Sequence, residues 1–263
     1  MRRHLVFAMN SLIVLLCLLA VWHFAVLVLK IPFYILPGPL VVAKAVMAKF
    51  PALARSLLLT SEAAAMGLVA SIVVGVAVAL VFAQWRWLRQ LLFPYTILLQ
   101  TVPIVAVAPL IIMWAGTGIY PVAIIAFIVC LAPIIANTTQ GLISVDANMI
   151  DLFLMNKATA AQVLFKLRLP HAMPSLFVGI RISAGIAVIG AIIGELFAGS
   201  SRVGEGGLGY SITYAISQLE TDYLFALVFA ATVLGFLFFF IGMFAEWYFL
   251  HNWHESSRAG ARE

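Results

Sequence analysis

Residues 145–174, VDANMIDLFLMNKATAAQVLFKLRLPHAMP, are a polar island between two long apolar runs. Their surroundings set the fold class. Hydrophobic residues make up 65% of the 263 positions and charged residues 10%, whereas a soluble domain carries about a quarter charged residues. A chain this apolar cannot cover a water-facing surface, so lipid is its main solvent. Apolar runs of about 20 residues match helices crossing a bilayer, and a β-barrel is excluded because its strands alternate in roughly ten-residue segments. The net charge of +5 is read as orientation within a membrane rather than as a nucleic-acid footprint.

Working outward from 145–174, six apolar windows are long enough to span: 5–29, 63–83, 91–114, 119–136, 176–198 and 224–250. The first exceeds a signal-peptide core and lacks a cleavage site, so it is read as a span. The third is interrupted by Pro94, Pro103 and Pro109, each of which removes a backbone donor and kinks a helix. With the N-terminus inside, ten basic residues lie on the cytoplasmic side (Arg2, Arg3, Arg86, Arg89, Lys157, Lys166, Arg168, Arg181, Arg258, Arg262) and five outside (Lys30, Lys44, Lys49, Arg55, Arg202). That bias predicts both termini inside. The first outer connection, 30–62, shows Val42, Val46, Met47 and Phe50 at helical spacing, the pattern of a short helix on the outer surface. The chain reads as one membrane domain over 1–263, without an internal repeat.

Several motifs are weighed and set aside. Gly204 to Gly209 fits G-x-G-x-x-G, but it follows a transmembrane helix rather than a strand, so a tight turn with close backbone packing is expected instead of dinucleotide binding. There is no G-x-x-x-x-G-K-[ST], so no ATP site of that kind lies on this chain. Cys17 and Cys130 fall inside apolar runs, and the histidines have no metal spacing. No catalytic residue, metal site or cofactor is expected. Glu195 is the sharpest single residue. A carboxylate in mid-helix costs about 2.5–3.5 kcal/mol on insertion scales, so it is expected either on a watery path or gate, or hydrogen-bonded near the outer interface. Gln100 beside Pro103, and Asn137, are further polar or kinked positions in the spans, open to solute contact or to helix–helix hydrogen bonding.

Within 145–174 the apolar residues Met149, Ile150, Phe153 and Leu154 form one helical face over 147–155, and Val163, Leu164 and Leu167 repeat it over 160–167. Leu169-Pro170 is expected to end the second helix, since a residue before proline avoids the α region. Two short angled helices on the inner surface make a knob that fits a partner's groove.

These residues resemble the inner-membrane permease subunits of bacterial ATP-binding-cassette importers. Their signature reads E-A-A, three residues, G-A, then a run closed by a hydrophobic residue and Pro. Asp151 stands for the Glu, Leu152 and Phe153 for the alanines, Lys157 for the Gly and Ala158 for the Ala, with Leu169-Pro170 closing the run and Pro174 following. PIVAVAPLIIMWAGTG (103–118), GLISVD (141–146), GIRISAGIAVIGAIIGE (179–195) and GLGYSI (207–212) extend the likeness to roughly 30–250, with a core of 60–250. The pattern is similar to the branch serving nitrate, sulfonate, taurine and thiamine-precursor or riboflavin uptake. The resemblance implies a multi-pass inner-membrane protein. It implies separate ATPase subunits bound at Asp151, Leu152, Phe153, Lys157, Ala158, Lys166, Arg168, Leu169 and Pro170. It also implies a periplasmic or lipid-anchored solute-binding protein and a second permease copy, alike or similar. Glu195, Gln100, Pro103 and Asn137 are then the candidates for the solute path or gate. Lys157 in the glycine position predicts a turn rebuilt in a right-handed conformation, because a lysine meets a steric cost at positive φ. The alternatives are a carrier driven by an ion gradient, a membrane-embedded enzyme, and an assembly subunit that transports nothing. An ion-coupled carrier usually shows an inverted repeat, which is not visible here.

Overall fold

A computed structural model describes residues 2–198 and 206–251, with side chains from residue 13 onward except residue 15. Among the described residues the chain is helical throughout, in the order α1 (Arg2–Val28), α2 (Pro39–Ala48), α3 (Phe50–Gln84), α4 (Arg86–Thr101), α5 (Ile104–Ala115), α6 (Ile119–Ile143), α7 (Ala147–Met155), α8 (Ala160–Val163), a π-helical turn (Leu164–Arg168), α9 (Leu169–Ala198), α10 (Leu208–Ser217) and α11 (Thr221–Leu250). Among the described residues four helical stretches are long and apolar enough to cross a membrane: α3, α6, the continuous Ala160–Ala198 and α11. The pair α4–α5, bent by 97°, counts as a fifth if taken as one broken span. Helix α1 runs 27 residues, and the unbroken part of it with described side chains, Leu16–Val28, is apolar.

The centre of the bundle is α6, pressed between α3 and α9. Small residues allow this in lipid, where dispersion and hydrogen bonds rather than water exclusion drive helix association. A Cβ added at Gly67 of α3 or at Gly190 of α9 would overlap Ala126 of α6, so both backbones lie against the same turn. Polar groups bind across the seams. Ser71 Oγ donates to the Phe127 carbonyl at 2.8 Å, and Ser183 Oγ donates to the Cys130 carbonyl at 3.0 Å.

Prolines shape the α4–α5 pair as expected. Val102 has extended ψ of 122°, as a residue before proline should, and Pro103 opens α5, where its missing donor costs nothing. Two expectations need correction. The connection 30–62 is not a loop with a single surface helix, because α3 already begins at Phe50 and is 35 residues long. At 1.5 Å per residue that is about 52 Å, well beyond the hydrocarbon thickness. Helix α2 meanwhile buries Val42 and Ala45. Leu169-Pro170 also fails to end the second loop helix. Leu169 is α-helical (φ −65°, ψ −49°) and its N–H reaches back five residues to the Leu164 carbonyl. The wide π turn just before Pro170 absorbs the break, and the helix runs on to Ala198.

Candidate functional site

The segment between α6 and α9 is shaped by caps placed back to back. Asp146 starts α7 by accepting a hydrogen bond from the Asn148 N–H at 2.7 Å. At the other end the Ala158 N–H reaches the Phe153 carbonyl (3.0 Å) and the Lys157 N–H reaches the Leu154 carbonyl (2.9 Å). These two bonds form a Schellman cap, whose C′ residue sits in the left-handed region. That residue is Lys157, with φ of 57°. The expected right-handed rebuilding of the turn is therefore wrong: the lysine adopts the conformation a glycine would supply, because two capping bonds hold it there. Thr159 then opens α8 through a capping box with Gln162 (2.8 and 3.2 Å). The angle between the two helices is thus fixed within Asn156–Thr159.

The knob buries none of α7. Ile150 and Phe153 are half-buried, while Met149, Leu152, Leu154 and Phe165 are at least half exposed and Met155 is 82% exposed. Asp151, Lys157 and Lys166 are exposed; Ala158, Leu169 and Pro170 are partly covered. Arg168 turns inward instead. Its Nη1 donates to the Ala83 carbonyl at 2.8 Å, in the last turn of α3, where a cation meets the negative end of a helix. The knob is therefore tied to α3 as well as continuous with α9.

At the far end of α9, Glu195 is buried, and its Oε2 accepts from Thr60 Oγ1 (2.9 Å) and from the Gly209 N–H (2.8 Å). Thr60 Oγ1 also accepts from the Leu208 N–H at 2.8 Å. Ser56 Oγ donates to the Gly206 carbonyl (3.1 Å) and lies 2.8 Å from Ser211 Oγ. A carboxylate from α9 thus caps the N-terminus of α10, satisfying donors left free at a helix start. The glycines allow the approach, since a Cβ at Gly207 would overlap the Glu195 carboxylate and one at Gly209 would strike the Ile192 carbonyl. The close backbone packing expected of this glycine cluster is found at Gly207 and Gly209, but Gly207 caps α10 and Gly209 lies inside it rather than in a turn; Gly204 lies outside the described residues. Of the alternatives open for Glu195, its hydrogen bonds here are those of helix packing.

The other path candidates lie apart. Gln100 and Pro103 are exposed at the α4–α5 break. Asn137 is half-buried, and its Nδ2 donates to the Pro133 carbonyl of its own helix at 2.8 Å. Sequence reading missed α10, whose start resembled only a glycine turn. It also missed Thr60, which stands beside Ser61 and Glu62 and is not set apart from them by any spacing. The T-x-x-Q at 159–162 was a readable sign of a helix start.

The comparisons with known proteins are consistent with this architecture. Residues 71–249 match the family described as "Binding-protein-dependent transport system inner membrane component". The chain is 29% identical over 233 residues to the formylaminopyrimidine transport permease protein ThiX of Halalkalibacterium halodurans, covering 88% of this chain and 91% of that one. It is 33% identical over 220 residues to the riboflavin transport system permease protein RibX of Chloroflexus aurantiacus, covering 83% and 80%. It is 28% identical over 172 residues to the taurine transport system permease protein TauC of Escherichia coli, covering 65% and 60%.

Proposed function

The chain belongs to the inner-membrane components of binding-protein-dependent transport systems, the permeases of ATP-binding-cassette importers, and from that premise we propose that it forms half of a solute path driven by ATPase subunits docked on the 145–174 knob. It is a multi-pass inner-membrane permease subunit, and ATP is hydrolysed on a separate partner chain. Six spans, with α1 and the bent α4–α5 pair among them and both termini in the cytoplasm, place the knob where nucleotide-driven subunits reach it. Two copies, or one copy with a similar chain, enclose the path, and an external solute-binding protein delivers to the outer side.

The observation that carries the reading is the knob itself. It is a pair of short helices whose angle is fixed by a Schellman cap and a capping box. It presents Met149, Leu152, Leu154, Met155 and Phe165 uncovered beside Asp151, Lys157 and Lys166. An apolar surface rimmed by charge is the composition of a protein interface. Leu169 and Pro170 join the knob to α9 without a helical break, and Arg168 joins it to α3, so a displacement of the knob is passed to two spans. Gln100 and Pro103 at the broken helix, with Asn137 on α6, are the path positions of this reading, and Glu195 on α9 holds the start of α10 in place. The solute of this reading is a small organic molecule or anion of the sulfonate, nitrate, thiamine-precursor or riboflavin type; the relatives' names carry formylaminopyrimidine, riboflavin and taurine.

Asp151→Arg and Ala158→Arg place bulky cations on the docking surface. Each is expected to abolish solute-stimulated ATP hydrolysis in proteoliposomes while the chain remains in the membrane. Unchanged stimulation in both would refute docking at the knob, and a chain that transports without any ATPase would point to an ion-coupled carrier.

A further inference from the structure

A second polar site lies between α9 and α11, on the same side of the bundle as the knob, since Phe177 stacks on Phe249 there (5.5 Å). Gly242 brings α11 against the backbone of Arg181, where an added Cβ would come within 3.1 Å of the Arg181 Cα. One turn further on, Glu246 meets the arginine: Nη1 donates to Oε2 at 2.8 Å. Phe239 lies under the guanidinium, 6.0 Å from its ring centre. The pair is not sealed. Its side chains remain 31% and 24% exposed and open into a pocket of about 260 Å³ walled by Met243, Trp247, Leu250 and His251. Trp247 is exposed and stacks on His251 at 5.4 Å, so an aromatic face borders the opening.

Beyond the single Nη1–Oε2 bond, the partly open pair leaves guanidinium donors and a carboxylate oxygen for a partner from outside the chain. The charges decide which partner fits. A purely anionic group drawn to Arg181 would sit against the Glu246 carboxylate, and a purely cationic one against the guanidinium. A zwitterion satisfies both: its phosphate accepts from Arg181, and its ammonium donates to Glu246 and lies by the indole of Trp247, where a cation over an aromatic face is favoured. Met243 and Leu250 supply an apolar wall for the adjoining glycerol and acyl carbons. We propose that this pocket is a binding site for a zwitterionic membrane phospholipid carrying a primary ammonium, of the phosphatidylethanolamine type. The assignment to the inner leaflet rests on the cytoplasmic placement of α7 proposed above; the head-group chemistry does not.

The test uses the full chain in nanodiscs holding equal amounts of phosphatidylethanolamine, phosphatidylcholine and phosphatidylglycerol, with native mass spectrometry counting the lipids that remain bound. Phosphatidylethanolamine is expected to be retained over the trimethylated and the anionic lipid. Glu246→Gln and Trp247→Ala are each expected to weaken its retention about tenfold, the effect of losing one charge-assisted contact. Trp247→Ala leaves the Arg181–Glu246 pair in place, so it reads the pocket without disturbing the helix contact. Equal retention of the three lipids by the wild-type chain, or wild-type retention by Trp247→Ala, would overturn the proposal. Displacement of the lipid by an equal concentration of soluble phosphoethanolamine would overturn its assignment to a membrane lipid.

Discussion

Glu195 carries two opposed readings. A carboxylate in a span signals either a path or a bond, and its sequence context, AIIGELFAG, is compatible with both. The distances give it bonds: one oxygen takes a hydroxyl from α3 and a backbone N–H from α10. Hydrogen bonds to a charged group contribute about 1.5–3 kcal/mol each, and leaving buried donors unmet carries a similar cost. Glu195→Ala is therefore expected to lower stability by about 2 kcal/mol, with Glu195→Gln in between because an amide oxygen still accepts. Thermal melting in detergent checks the order wild type, Gln, Ala. If Glu195→Ala melts like wild type yet transports poorly, the carboxylate serves the solute path and not the α10 seam.

At the scale of elements, the turn between α7 and α8 carries the argument. A left-handed lysine costs roughly 1–2 kcal/mol relative to the right-handed region, and the Schellman bonds at Phe153 and Leu154 offset it. Lys157→Gly is expected to keep solute-stimulated ATP hydrolysis at or above the wild-type level. Lys157→Val, β-branched at positive φ, is expected to reduce it severalfold by distorting the turn. Stimulation unchanged in Lys157→Val would mean the turn's conformation does not matter to coupling. Element type was legible here because apolar spacing marked α7 over 147–155 and the long spans α6, α9 and α11. Element ends were less so. Leu169-Pro170 looked like a stop, yet the π turn carries the helix through it, a local widening that no propensity of those residues announces. Helix α10 stayed hidden because its stability comes from Glu195 and Thr60, far away in sequence.

For the whole molecule, composition sufficed to place the chain in lipid, and the polar island suggested where it meets something outside. The two sites described here sit at opposite ends of α9: the knob continues into its first residue, and Glu195 lies in its last turn. A single 39-residue helical stretch, Ala160–Ala198, therefore connects the docking surface to the α10 seam, with the Arg181–Glu246 pair between them. Such a rod transmits displacement because packed helices shift as units rather than deform continuously.

The central claim is that residues 147–170 face the compartment in which ATP is hydrolysed. Its most direct test is a single cysteine at position 157 (Lys157→Cys, with Cys17 and Cys130 replaced by alanine) reacted with a membrane-impermeant maleimide. The account predicts labelling in inside-out vesicles and none in right-side-out vesicles. Labelling from the outer side would contradict it, since no nucleotide-driven subunit could then reach the knob.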